Sequence, residues 1–239
     1  MQRREFMKLC SASAAACATP IAATAFADNP PVNPSSQRYN KVKLVDKDGV
    51  PIKLRALKSN HNYVFNYPFE STPCFLLNLD KPVQSKVALK TEGGKDYDWP
   101  GGVGPKKTLV AYSAICAHKL AYPTDQVSFI SFKAQAGKAS KQANVISCCA
   151  DASVYDPYAG AKVLSGPAPQ PLAAILLEHD PKTDEVWALG TFGGEKFNEF
   201  FQKYDFKLSM QMGGKAKDKV KATTRLVALT EYSAQTAQC

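Results

Sequence analysis

Two short segments hold most of the residues in this chain that could do chemistry. The first is Cys116-Ala117-His118, followed by Lys119. The second runs Cys148-Cys149-Ala150-Asp151-Ala152-Ser153-Val154-Tyr155-Asp156. Thiol, imidazole and carboxylate are donors that zinc accepts, and thiolate and imidazole are the donors that hold some iron–sulfur clusters. Two metal-free readings of the same groups are open: a disulfide between Cys116 and Cys148, and an ion pair between Lys119 and Asp151. His61 and His179, the remaining histidines, lie at no ligand spacing and read as surface or packing residues. No nucleophile–base arrangement is legible, so the chain alone is not expected to turn over a substrate.

The elements that must position these segments read as short strands. Lys41 to Val45, Val50 to Leu54, Asn62 to Phe65, Cys74 to Leu79 and Thr108 to Tyr112 alternate in polarity or carry β-branched and aromatic residues. Asp46-Lys47-Asp48-Gly49 separates the first two and predicts a hairpin, because Asp and Gly tolerate the positive φ of a tight turn. Pro51 makes the second run an edge strand. Ala173 to Glu178 and Glu185 to Leu189 form a second hairpin pattern around Asp180 to Asp184. Residues 131–144 are polar and read as an insertion between the two segments. Phe197, Phe200, Phe201 and Tyr204 recur at helical spacing, which predicts an amphipathic helix over 195–204. Residues 215–239 form a basic tail without a readable motif. The pattern is that of a small all-β domain, an antiparallel sandwich or barrel.

The N-terminus looks like a targeting segment. Arg3-Arg4-Glu5-Phe6-Met7-Lys8 precedes a soft Ala/Ser-rich stretch and Ala25-Phe26-Ala27, the pattern of a twin-arginine export signal with its cleavage site. The predicted organisation is a signal over 1–27, a Pro-, Asn- and Ser-rich flexible lead over 28–40, a domain over 41–194, and a helix and tail over 195–239. Cleavage would leave 212 of the 239 residues and lower the net charge from +9 to +7, since the segment holds three basic residues and one acid. The positive charge is spread along the chain, without an Arg-rich helix or aromatic–basic interleaving. Nucleic-acid binding is therefore not expected, while steering toward an acidic partner is. Of the seven cysteines, Cys10 and Cys17 lie in the signal. Beyond Cys116 and Cys148 that leaves Cys74, Cys149 and Cys239, an odd number from which no simple disulfide framework follows.

The two segments, in this order, resemble the cluster-binding loops of Rieske [2Fe–2S] proteins: Cys-x-His first, then Cys-x-x-His, with Asp151 at the place of the second His. Tyr67-Pro68, Ser71-Thr72-Pro73-Cys74, Lys81-Pro82-Val83, Gly101 to Pro105 and Val110-Ala111-Tyr112-Ser113 are similar to the small Rieske subunit of arsenite oxidase. Gly166-Pro167-Ala168-Pro169 resembles the proline loop common in Rieske proteins. The resemblance spans roughly residues 60 to 192. It implies a Rieske-type β-sandwich with a cluster-binding subdomain, a [2Fe–2S] cluster on Cys116, His118, Cys148 and Asp151, and hydroxyl donors at Ser153 and Tyr155.

Four departures from the family pattern carry physical consequences. The pair of cysteines that ordinarily cross-links the loops falls on Ala121 and Ala150, so that tie is expected to be absent. Asp151 puts a carboxylate where a neutral imidazole is usual, which makes the oxidised cluster −1 instead of neutral and should lower a potential that otherwise spans about −150 to +300 mV. Lys119-Leu120 replaces an apolar residue and Gly; Lys119 either offsets Asp151 or is solvated. Ala152 replaces a common Gly. The resemblance implies a periplasmic electron-transfer subunit, partnered by a larger redox subunit, possibly one with molybdopterin, and an acceptor such as a cytochrome. Membrane association would require retention of the signal. The alternatives are a Rieske subunit of a quinol–cytochrome c reductase, in which Asp151 would replace the quinol-contacting His, and a cluster-free structural subunit.

Overall fold

The computed structural model describes residues 36–137 and 141–239. The expected signal over 1–27 and the first part of the lead lie outside the described residues. In chain order the elements are β1 (Ser36–Val45), β2 (Tyr63–Asn66), β3 (Pro73–Asn78), β4 (Val87–Lys90), β5 (Asp96–Trp99), β6 (Leu109–Ser113), β7 (Val127–Ser128) and β8 (Ile130–Lys133). Then come β9 (Val145–Cys148), β10 (Ser153–Asp156), β11 (Lys162–Ser165), β12 (Ala174–His179), β13 (Val186–Phe192), α1 (Phe197–Met212), β14 (Thr223–Arg225), β15 (Val227–Ala228), α2 (Leu229–Tyr232) and β16 (Gln235–Thr236). The chain is mostly β, as the strand periodicities predict.

Eight strands form one sheet in the order β14-β1-β13-β12-β6-β3-β2-β15. Its neighbours are antiparallel except β1 and β14. The two terminal strands of that order, β14 and β15, are separated in the chain only by Leu226. One residue spans less than 4 Å, so the sheet must wrap round until its ends meet. Leu226 N–H donates to Val45 O and Thr224 Oγ1 to Asn66 O, which fastens that seam.

The wrapped sheet is apolar on both faces because alternate residues of a strand point to opposite sides. Cys74 and Leu76 of β3 join Val42, Leu44, Phe65, Leu109, Ala111, Val186, Ala188 and Leu226 in one core. Phe75 and Leu77 point the other way. They meet Ile130, Phe132, Ile146 and Tyr155 of a second sheet, ordered β11-β10-β9-β8, in another core. Each fully buried Leu or Phe here contributes roughly 1.5–3 kcal/mol. Asn62 Nδ2 donates to Phe132 O while Phe132 N–H donates to Asn62 Oδ1, which pins the small sheet to the large one.

Several boundaries differ from expectation. β1 begins at Ser36, so the strand takes in residues 36–40 of the expected flexible lead. The Asp46–Gly49 turn forms: Asp46 Oδ1 accepts from Asp48 N–H and Val50 N–H, and Gly49 has φ 77°. Its second arm is reduced to the isolated bridges Val45–Pro51 and Lys53–Glu185, since proline interrupts a ladder. The helix runs to Met212, well past Tyr204. The tail is ordered: it supplies β14, β15, α2 and β16. Among the described residues no helix is long and apolar enough to cross a membrane.

Candidate metal centre

β6 and β9 deliver the two segments. The chain leaves β6 at Ser113 and turns through Cys116 to Tyr122; Cys116 N–H donates to Ala121 O and Leu120 N–H to Cys116 O, closing the turn on itself. The second segment is the hairpin loop between β9 and β10. Cys148 pairs with Ser153 and Ile146 with Tyr155 across that hairpin. Directly opposed residues share a face, so the register alone sets Cys148, Ser153 and Tyr155 on one side, toward the first turn.

The result is a close group of donors. Ligand atoms of Cys116, Cys148 and Asp151 all lie within 4.8 Å of one another. His118 Nδ1 stands 3.0 Å from Asp151 Oδ2, and the Cys116 thiol donates to the same oxygen at 3.3 Å. Asp151 Oδ1 accepts from Ser153 N–H at 2.9 Å, which fixes the carboxylate and aims Oδ2 at the cysteine and histidine. Tyr155 Oη is 3.3 Å from Cys116 Sγ and accepts from Ala117 N–H at 3.2 Å. The Asp151 side chain is 3% exposed and that of His118 35%, so the histidine forms the open edge of the site.

The electrostatics favour anionic donors. Hydrogen bonding with Cys148, then with Tyr155 and the His118 and Lys119 N–H groups, pulls the Cys116 thiol down to about 7 against the effect of burial. Cys148 is driven upward as the donor to Cys116, and further by burial and the Asp151 charge. The two thiols titrate as a unit, losing the first proton easily and the second with difficulty. Burial pushes the Asp151 carboxyl up, but the Ser153 N–H and hydrogen bonds with Cys116, Cys148 and His118 outweigh it, and the net direction is down. Burial and the neighbouring Cys116 charge raise Tyr155, which stays protonated as a donor. Two thiols, an imidazole and a carboxylate in this arrangement suit iron or zinc.

No protein-family model matches the chain. The chain is similar to the soluble domain of the Rieske protein II (soxF) from Sulfolobus acidocaldarius, with a TM-score of 0.44 and 26% identity, over 66% of this chain and 82% of that one.

Two non-glycine residues of the loops hold a left-handed backbone: Leu120 has φ 57° and Ala152 φ 58°. The Gly166 turn lies directly on the second loop. A Cβ there would come within 2.5 Å of Ala152 O and Ser153 Cα. Of the metal-free features considered above, neither forms: Cys116 and Cys148 are free thiols, and the group facing Asp151 Oδ2 at 3.0 Å is His118 Nδ1, not Lys119. Lys119 is exposed, and its backbone oxygen accepts from Lys203 Nζ.

Two supports were not legible in the sequence. Helix α1 braces the first turn: Ile115, Leu120 and Tyr122 pack with Phe197, Phe200, Phe201 and Leu208, and the Tyr122 ring lies 4.9 Å from both Phe200 and Tyr204. The helical spacing predicted an apolar face but not its target. The second support is a disulfide, which the odd cysteine count left undetermined: Cys149 bonds to Cys239, 90 residues away. Cys74 is the leftover thiol, buried and donating to Tyr67 O. The only sequence signal was the presence of a second free partner for Cys149, and the tail that carries it has no motif.

Proposed function

We propose that this protein is a one-electron carrier that holds a variant Rieske-type [2Fe–2S] cluster on Cys116, Cys148, His118 and Asp151. The observation that supports the reading is the convergence of Cys116, Cys148 and Asp151 from two separate loops, with His118 3.0 Å from Asp151, beside a hydroxyl without a partner among the described residues. Ser153 Oγ is buried and has no hydrogen-bond partner among the described residues. A buried donor left unsatisfied costs about 1–3 kcal/mol, and a cluster sulfide would accept from it.

When bound, such a cluster takes up and releases one electron. The chain's own residues set the terms. Cys116 offers a thiolate near neutral pH, and Tyr155 donates to its sulfur, which favours the reduced state. Asp151 adds a negative charge that opposes reduction. His118, at the open edge, is where an electron would leave or enter, so the partner's redox centre is expected to face it. We further read the chain as a periplasmic subunit of the arsenite-oxidase small-subunit type. It would work with a larger, possibly molybdopterin-containing subunit and an acceptor such as a cytochrome.

Anaerobically purified protein should contain two iron and two sulfide per chain and give a rhombic EPR signal on reduction. Asp151→His should raise the potential measured by redox titration, because it removes one negative charge next to the metal. An unchanged potential and spectrum would sink the assignment of Asp151 as a ligand. Absence of iron, or zinc in its place, would sink the electron-carrier reading. For the compartment, Arg3→Lys with Arg4→Lys should leave a precursor in the cytoplasm on fractionation. Normal periplasmic accumulation of that double variant would count against twin-arginine export.

A further inference from the structure

The two loops of the site are held by different means. The first is braced from behind by the aromatic face of α1. No described residue of the second loop belongs to that aromatic cluster, and the cysteine pair that would tie the loops to each other is replaced by Ala121 and Ala150. Among the described residues the covalent hold on the second loop comes from residues 233–239. β16 lies parallel to β7, with Ala234, Gln235 and Ala237 N–H donating to Asp125, Gln126 and Ser128 O. Ser233 Oγ donates to Thr124 O, and Lys133 Nζ donates to Ala237 O. The strand then delivers the last residue, Cys239, to Cys149, the immediate neighbour of Cys148. Cys149 N–H also donates to Phe129 O, so the residue is fixed by backbone and side chain alike.

We propose that the Cys149–Cys239 disulfide is a clamp that keeps Cys148 and Asp151 in ligating position, and that a dithiol reductant opens it, so that metal retention follows the redox state of this bond. The metal part rests on the reading of the four donors given above. Both cysteines are only half-buried, and Cys239 lines a surface cleft of about 550 Å³ together with Phe132, Lys133 and Ser147, which gives a reductant access. The step is an ordinary exchange. One thiolate of the dithiol attacks a sulfur of the bond and forms a mixed disulfide. Its second thiol then closes a disulfide within the reductant and releases the remaining sulfur. Two electrons and two protons pass to Cys149 and Cys239, which become thiols, and the dithiol is oxidised. Cys149 and Cys239 are therefore positioning residues: they act on a metal site only through Cys148 and Asp151.

The test compares the full chain with Cys239→Ser and with Cys149→Ser/Cys239→Ser, the second removing any stray thiol beside Cys148. In metal-free protein, amide hydrogen exchange at residues 148–152 should speed up at least tenfold in both variants and in wild type treated with a dithiol. Protection in β3 and β6 should stay within twofold. In protein reconstituted with iron and sulfide, release of iron to a chelator should speed up at least tenfold in the same three samples, and re-oxidation of the treated wild type should restore slow release. Alkylation of Cys149 and Cys239 in untreated folded protein would overturn the proposal. So would loop exchange within twofold of wild type, equal loss of protection in β3 and β6 (a general stabiliser), or loosened loops with unchanged iron release. If no variant and no wild type takes up iron, the electron-carrier reading and the metal half of this proposal both fail, while the exchange arm still decides the clamp.

Discussion

Ser153 is the residue whose environment makes the sharpest demand. Its hydroxyl is buried beside Cys148 with no acceptor among the described residues, while its N–H caps Asp151. Ser153→Ala keeps the cap and deletes only the idle hydroxyl. In metal-free protein the substitution should raise the unfolding free energy by about 1–3 kcal/mol, because it removes the penalty of a buried, unsatisfied hydroxyl. In cluster-loaded protein it should lower the potential, because a donor to sulfur is gone. Chemical denaturation of the one form and redox titration of the other check the pair of outcomes. A loss of 1 kcal/mol or more in the metal-free form would mean that the hydroxyl has a protein partner. At this scale the sequence was informative about which residues meet, since ligand spacing is a local property. It was silent on which atoms of Asp151 face which partners, because that depends on how two loops from different sheets are registered.

At the scale of elements, the β9–β10 loop is a tight turn built without the residue that such a turn favours. Ala152 is exposed and held at φ 58°, where a Cβ costs about 1–2 kcal/mol relative to the right-handed basin. Ala152→Gly removes that cost but adds about 0.5–1 kcal/mol of chain entropy to the unfolded state. A net gain of up to about 1 kcal/mol is expected, read as a higher denaturation midpoint at constant slope. Leu120, at φ 57°, has the same backbone, but its side chain is buried against α1, so Leu120→Gly should destabilise through lost packing. This contrast explains what was legible among the elements. β2, β3, β6, β12 and β13 were foreseen to within a residue or two, apart from the far end of β13, because their alternation records burial. β4, β5 and β7 to β11 are short or polar and take their conformation from neighbours. The tail gave no signal because β14, β15 and β16 are two or three residues long and exist only by pairing with distant strands.

For the whole molecule, pH sensitivity centres on a junction of three elements. Glu195, at the entry to α1, accepts from Tyr39 Oη of β1 at 2.9 Å and from Thr191 Oγ1 of β13. Burial raises its pKa, and the two hydroxyl donors only partly oppose that. A carboxyl whose folded pKa is raised contributes its stability in full below the unfolded value of about 4.3 and loses it as pH rises through the folded value. Glu195→Gln retains hydrogen-bonding capacity without the charge. Its melting temperature relative to wild type should therefore be higher at pH 7 than at pH 4. An equal difference at both pH values would show that Glu195 is not perturbed by burial.

The wrapped eight-stranded sheet has a consequence for how the protein is made. Both of its terminal strands come from residues 223–228, which leave the ribosome long after β1 and β2. Until then the outer edges of β1 and β2 expose unpaired N–H and C=O groups, the kind of edge that recruits foreign strands. A nascent chain in that condition is sticky however well its interior has begun to collapse. The barrel is completed in a single late stroke, when one short stretch on either side of Leu226 seals two edges at once.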